Sequence, residues 1–156
     1  MDDDIDFARL LASGIVSQLG EQGPDWEIGS VEHQEDDFSG TGDFSWSPTV
    51  RVEFRSISGE YESVGVYFVY NGVSLGDSVI ATADGIQDHA VEMIPGAALP
   101  PCPGHHHPAV ARVVDDVPKW VCMKDGAAHF SEDIVPGLQP GMTLAEYMRR
   151  HRVRTS

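Results

Sequence analysis

The clearest pattern of polar and apolar positions lies between residues 49 and 70. Over Thr49–Ile57, apolar side chains alternate with charged ones, and over Tyr61–Tyr70 apolar residues recur at every second position. A period of two predicts β-strands, and such clean alternation is typical of an antiparallel sheet with one face in water. Tyr67 and Val69 fall on the outer face of the second strand, so we expect a helix or a partner to cover them.

Two segments follow the helical spacing i, i+3, i+4, i+7. The first covers Asp4–Leu19, with Asp4 as its N-cap, and the second covers Asp77–Ile94. Gly85 interrupts the second helix at a cost of about 1 kcal/mol relative to alanine, which indicates a close contact between helix and sheet. A third helix is predicted to begin at Thr143, because Thr143 and Glu146 match the capping box.

The remaining elements are a strand and a hairpin. Trp26–His33 favours a strand, and the short apolar runs Ala109–Val114 and Lys119–Met123 favour a hairpin. Glu32–Phe44 is polar and glycine-rich and is expected to be a loop, and Ala127–Pro140 is expected to be irregular. The prediction is therefore one α+β domain over residues 1–156. It has an antiparallel sheet, two packing helices and the order α-β-β-β-α-β-β-α.

Charge is unevenly distributed along the chain. The net charge is −15, and residues 1–43 hold twelve Asp and Glu against Arg9 alone. No Lys or Arg occurs between Arg55 and Arg112, whereas four arginines crowd residues 149–154. Because phosphate binding needs clustered Lys and Arg, we expect no direct nucleic-acid binding by the body of the protein. A basic protein partner fits the charge, and the alternative is that the acidity only keeps the protein soluble.

The apolar runs are too short for a membrane protein. None approaches the eighteen residues that a transmembrane helix needs. The first residues, MDDDID, are acidic, whereas a secretory signal begins with basic residues. We therefore expect a cytoplasmic protein that does not bind membranes.

One segment carries residue types that suggest particular chemistry. Cys102 and His105 are separated by two residues, Cys122 and Asp125 by two, and the two pairs by sixteen. This is the frame of a zinc ribbon with a histidine and an aspartate in two of its four places. Thiolate, imidazole and carboxylate are all zinc ligands, and a hairpin between the pairs would bring the two cysteines together. Asp125, His107 and His129 compete for the fourth place.

Other interpretations of the same residues stay open. A disulfide between Cys102 and Cys122 is geometrically possible, but cytosolic thiols stay reduced. The histidine run can be a solvated loop that binds metal only adventitiously, or the site can be one that has lost its metal. Cys122 can also be a small apolar residue buried in a strand.

The segment CPGHHHP, followed by a hairpin and WVC, resembles a recurring segment of small actinobacterial proteins with the pattern CP-x-H-x-HP…W-x-C. The resemblance covers about residues 79–125 and maps Cys102, His105, His107 and Cys122 onto the recurring positions. It implies a local structure and no particular activity. The predicted order of elements also resembles that of type III secretion chaperones and related small acidic dimeric proteins.

Three functions follow from these features. The first is a non-enzymatic protein-binding or chaperone-like module, monomeric or homodimeric, whose hairpin is stabilised by zinc. The second is a zinc-dependent hydrolase, with Asp125, His129 and Glu132 as candidate bases. Against it, two thiolate ligands are more usual in structural sites, and no H-E-x-x-H sequence occurs. The third is an acidic inhibitor that mimics nucleic acid with its carboxylates.

Overall fold

The described part of the chain forms three helices and two antiparallel three-stranded sheets. A computed structural model describes residues 2–34, 49–70 and 74–155, the last four of them by their backbone alone. The N-terminal sheet has the strand order β1-β2-β3 and the C-terminal sheet the order β4-β5-β6. The elements in chain order are α1 (Asp3–Leu19), β1 (Trp26–Gln34), β2 (Thr49–Ser56), β3 (Val64–Val69), α2 (Leu75–Met93), β4 (Val110–Val114), β5 (Val117–Cys122), β6 (Gly126–Asp133) and α3 (Leu144–Thr155).

The α+β class and the antiparallel pairing are confirmed, but the predicted order lacked one strand. The additional strand is β6 (Gly126–Asp133), and all of it except Gly126 lies in the segment that was expected to be irregular. It pairs with β5 and completes a second three-stranded sheet. Most side chains of β6 are exposed or half-buried, so its sequence has no apolar alternation. The strand forms because its backbone pairs with the free edge of β5. An ion pair adds to this pairing, since Lys119 Nζ lies 3.1 Å from Asp133 Oδ1.

The turn between β4 and β5 also differs from the prediction. Asp115 and Asp116 alone make it, with φ of 51° and 65°, and Val117 and Pro118 already belong to β5. Two central residues with positive φ define the type I′ turn of tight hairpins. Aspartate tolerates that region better than most residues do. Part of the predicted loop at Glu32–Phe44, from residue 35 onward, lies outside the described residues.

The helix starts are set by side-chain caps. Asp2, not Asp4, caps α1, since its Oδ1 accepts from the backbone N–H of Asp4 at 3.0 Å. Ser74 caps α2 by accepting from the N–H of Asp77 at 3.1 Å. Thr143 caps α3 as predicted. Each such cap satisfies one of the N–H groups that a helix start leaves unpaired.

One hydrophobic cluster joins all three helices and both sheets. Phe7 on α1 lies at its centre, with ring centroids 5.4 Å from Phe68 and 5.6 Å from Tyr147. The alternation predicted for β2 is confirmed, because Val50, Val52 and Phe54 are buried. The close approach expected at Gly85 is present, since a Cβ there would lie 3.3 Å from Val66 Cγ1. Within the described residues, no helix combines the length and apolar character that crossing a bilayer requires.

The C-terminal sheet is tied to α1 by a polar side chain as well as by apolar packing. Gln18 Nε2 donates to the carbonyls of Asp133 and Ile134, each at 3.1 Å. Gln18 Oε1 accepts from the indole N–H of the buried Trp120 at 2.7 Å. One amide group therefore satisfies three polar groups of the C-terminal sheet and the segment that follows it.

We expect Gln18→Ala to lower the free energy of unfolding by about 1–3 kcal/mol, because it leaves those three groups without their partner. Chemical denaturation followed by circular dichroism measures the change. Ser17→Ala, one residue away on an exposed position, is the matched control and should change the free energy by less than about 0.5 kcal/mol. Equal effects of the two substitutions would contradict the bridging role.

Candidate metal centre

The first two candidate ligands lie on a tight turn. The backbone N–H of His105 donates to the carbonyl of Cys102 at 3.1 Å, with Pro103 and Gly104 between them. Gly104 has φ of +80°, and proline followed by a residue with positive φ is the pattern of a type II turn. The turn folds His105 back over Cys102, so that His105 Nδ1 lies 3.7 Å from Cys102 Sγ.

The third candidate, Cys122, ends β5. The chain turns immediately after it, because Cys122 pairs with Gly126 across the start of β6. The backbone N–H of Asp125 donates to Cys122 Sγ at 3.3 Å. The sulfur also lies 3.3 Å from His105 Nδ1. The hairpin β4–β5 therefore does what the spacing predicted, and places Cys122 beside the Cys102–His105 turn.

The loop that holds Cys102, His105 and His107 is closed at its base; we call residues 102–107 the ligand loop. Pro101 and Pro108 form an isolated antiparallel bridge, and the N–H of Ala109 donates to the carbonyl of Pro100 at 2.9 Å. From α2, the buried Gln87 donates through Nε2 to the carbonyls of Leu99 at 3.0 Å and Ala109 at 2.6 Å. Both ends of the ligand loop are thus fixed to one helix.

Four potential ligands converge as a result. Cys102, His105, His107 and Cys122 each offer one ligand atom, and these atoms all lie within 4.8 Å of one another. Both cysteines are free thiols and both are 2% exposed. A disulfide and the burial of each cysteine singly among apolar side chains were two of the alternatives, and neither describes this arrangement.

The two ring nitrogens of His107 have different environments. Its Nδ1 donates to the carbonyl of Pro108 at 3.1 Å. That hydrogen bond puts the proton on Nδ1 and leaves a lone pair on Nε2. Within the described residues, Nε2 is buried without a hydrogen-bond partner. A backbone carbonyl that fixes the tautomer of a histidine is a typical feature of metal sites.

The other sequence candidates lie around the group and are not members of it. Asp125 Oδ2 is 3.9 Å from His105 Nε2, on the side of the ring away from the sulfurs, and the Asp125 side chain is 61% exposed. His129 stacks on His105 with ring centroids 4.5 Å apart, and its Nε2 donates to the carbonyl of Pro103 at 2.7 Å. Glu132 is on β6, paired with Trp120.

The two thiols have different proton affinities. Burial raises the pKa of the Cys102 thiol above its ordinary value, and its hydrogen bond with Cys122 raises it further. Burial also acts to raise the pKa of Cys122, but the backbone N–H groups of Asp125 and Lys124 and the contact with Cys102 outweigh it and hold that pKa below its ordinary value. Burial and the neighbouring His129 and His107 lower the pKa of His105, which favours the neutral imidazole that binds metals.

The donor set fits zinc. Ligand atoms of a tetrahedral zinc ion with two sulfurs and two nitrogens are separated by about 3.3–3.8 Å. The distances from His105 Nδ1 to Cys122 Sγ and Cys102 Sγ, 3.3 and 3.7 Å, already lie in that range. The N–H donated to Cys122 Sγ and the carbonyl that accepts from His107 provide the outer hydrogen bonds that orient ligands.

Comparisons with protein-family models, with curated proteins and with solved structures give no match to this chain.

Sequence reasoning missed the residues that position the ligands. Gln87 is not among the candidate residues that the sequence indicates, because nothing in its local sequence shows that its amide holds two carbonyls twelve and twenty-two residues away. The stacking of the His129 ring on His105 was also missed, since the sequence suggested His129 only as a fourth ligand or as a catalytic base. The bridge between Pro101 and Pro108 is the feature that brings His107 to the group.

We expect Gln87→Met to lower the free energy of unfolding by about 1–3 kcal/mol and to weaken zinc binding, because two buried carbonyls lose their donor while the side-chain volume is nearly kept. Denaturation and competition with a zinc chelator dye measure the two effects. His89→Ala on the same helix is the control and should leave the zinc affinity unchanged. Unaltered zinc affinity in Gln87→Met would show that the ligand loop does not depend on this contact.

Proposed function

We propose that the protein is a non-enzymatic, chaperone-like protein-binding module whose ligand loop and β5 are held together by a structural zinc ion. Cys102, His105, His107 and Cys122 would be the ligands. The observation that carries the proposal is the convergence of these four donors, together with the buried His107 Nε2, which has no hydrogen-bond partner among the residues that the structure describes. When bound, zinc would join the loop to the hairpin and contribute its binding free energy to folding.

The ligand count supports a structural ion over a catalytic one. Two cysteines and two histidines fill a tetrahedron, whereas a catalytic zinc has three protein ligands and an open position for water. The bases proposed for a hydrolase also have other roles. His129 is engaged with the Pro103 carbonyl, and the Asp125 carboxylate faces His105 Nε2.

Exposed apolar side chains support a role in protein binding. Tyr67 and Val69, on the outer face of β3, are 46% and 38% exposed, and the helices leave that face uncovered in the described residues. Single exposed apolar residues are ordinary, whereas large contiguous apolar patches mark interaction sites. Tyr67 and Val69 lie two residues apart on the same face of β3 and would contribute to such a patch. The large apolar side chains exposed in the described part of the chain are Leu10, Ile57, Tyr67, Val69, Val113 and Met123.

We expect the protein purified without added metal or chelator to contain one zinc ion per chain by elemental mass spectrometry. His107→Ala should lose most of that zinc, because it removes one of four ligands. His106→Ala is the matched control, since His106 is the exposed neighbour that does not belong to the group. Chelation should lower the free energy of unfolding by RT ln(1 + [Zn]/Kd), or about 4 kcal/mol at a free zinc concentration 1,000 times Kd.

A zinc-free protein with the same stability before and after chelation would contradict the metal assignment. Equal zinc loss in His106→Ala and His107→Ala would contradict the ligand assignment alone. Substitution with Co²⁺ gives a further check, because the visible spectrum of Co²⁺ distinguishes a tetrahedral site with thiolate ligands from an open one.

Zinc binding should release protons at neutral pH. The pKa of Cys102 is above its ordinary value, so this thiol is protonated in the metal-free protein and must lose its proton on binding. We therefore expect zinc affinity to rise with pH between about 6 and 8. Calorimetric titration in buffers of different ionisation enthalpy should detect at least one proton released, and an affinity independent of pH would contradict this prediction.

A further inference from the structure

A groove of about 550 Å³ lies between α2 and the start of β4. We call it the α2–β4 groove. Most of its accessible surface is apolar, and Met123 in one wall is 53% exposed. Methionine is a flexible side chain that adapts to varied partners and is common on binding surfaces. The apolar residues that line the groove are Val91, Pro95, Pro108, Val110 and Met123.

The rim of the groove on α2 is acidic. Asp88 and Glu92 line it, and both side chains are exposed. They are four residues apart on the helix, so they lie about 6 Å apart along its axis. Asp84 is one turn before Asp88. Burial and the charge of Asp88 raise the pKa of Asp84, and the nearby Arg112 on β4 opposes this shift. None of the described residues that line the groove is basic.

The wall opposite α2 is built from the candidate metal centre. Pro108 follows His107 directly, and Met123 follows Cys122 directly. Pro108 also supplies the carbonyl that accepts from His107. Zinc bound to His107 and Cys122 would therefore hold Pro108 and Met123 at a fixed separation. Without zinc, these two residues of the wall would no longer be linked to each other through the metal centre.

We propose that the α2–β4 groove binds an extended basic segment of a partner protein, with a large apolar side chain on the floor and a Lys or Arg on either side of it facing Asp88 and Glu92. Residues i−1 and i+1 of an extended chain are about 6.6 Å apart, close to the rise of about 6 Å between Asp88 and Glu92 along α2. Their side chains point away from that of residue i, so they reach the exposed rim while residue i occupies the floor. The net charge of −15 attracts such a segment and speeds its encounter. This inference rests on the proposed function as a protein-binding module and adds where and what it binds.

The test uses the full chain and a short fluorescein-labelled peptide in which arginine and leucine alternate. We expect the peptide to bind in a fluorescence anisotropy titration at physiological salt. The double variant Asp88→Lys, Glu92→Lys should weaken binding by about tenfold or more, because it replaces attraction by repulsion at both acidic positions of the α2 rim. Glu21→Lys, Glu60→Lys changes the net charge equally at exposed positions outside the groove and should weaken binding less than about threefold.

Two control peptides separate the contribution of the apolar side chain to binding from the contribution of the positive charge. Replacing leucine by serine keeps the charge and removes the apolar anchor, and it should weaken binding as strongly as the rim substitutions do. Replacing arginine by glutamate should abolish binding. Equal binding of the leucine and serine peptides, or equal effects of the two double variants, would show attraction by net charge alone and overturn the proposal.

Measuring zinc in the same samples distinguishes the two proposals. If zinc is present at one ion per chain but rim substitutions do not affect the peptide, the groove assignment fails while the metal centre stands. If zinc is absent and the peptide still binds with the same dependence on Asp88 and Glu92, the groove stands and the metal centre fails. A chain that does not bind the peptide but forms dimers that Asp88→Lys, Glu92→Lys dissociates would overturn the proposal in favour of a second copy.

Discussion

The position of the ligand loop depends on the two hydrogen bonds that Gln87 donates from α2. Its amide holds the carbonyls of Leu99 and Ala109, one before and one after the ligand loop. The helix is in turn fixed against the N-terminal sheet, where Gly85 lets it approach Val66 closely. These protein contacts alone therefore position the base of the ligand loop relative to the core, without a contribution from a metal ion. Because a buried carbonyl without a partner costs about 1–3 kcal/mol, alternative positions of the loop are disfavoured.

In this arrangement the protein differs from small zinc domains, which are unfolded without their metal. Here the ligand loop is closed by the Pro101–Pro108 bridge, and Cys122 is carried by β5, whose neighbours β4 and β6 pair with it. Trp120 packs in the core two residues before Cys122 and is tied to α1 through Gln18. Packing and backbone pairing bring the ligand residues together. A bound ion would then fix the final positions of ligand atoms that already lie close to one another. Metal loss would then loosen the loop and the hairpin without unfolding the N-terminal sheet.

The sequence predicted those features that leave a local periodic signal. The alternation of Val50, Val52 and Phe54 and the stripes of α1 and α2 identify the helices and the N-terminal sheet, and the Cys–His spacing identifies Cys102, His105 and Cys122 as neighbours. The strand β6 was missed because its side chains face water, so its pairing comes from the backbone and leaves no pattern. The choice among His107, Asp125 and His129 could not be made from spacing. It depends on how the proline bridge folds the loop and on which ring nitrogen each neighbouring carbonyl engages.

Charge gives a physical reason for two histidines rather than a histidine and an aspartate at this site. Two thiolates and two neutral imidazoles around Zn²⁺ sum to zero, whereas Asp125 in place of His107 would make the centre negative. The chain already has a net charge of −15, and burying a further negative centre in it would cost more than burying a neutral one. Exchange of Zn²⁺ for two thiol protons also leaves the total charge unchanged. The acidic rim formed by Asp88 and Glu92 would therefore keep its attraction for a basic partner whether or not metal is bound, and the metal would act on binding only through the positions of Pro108 and Met123.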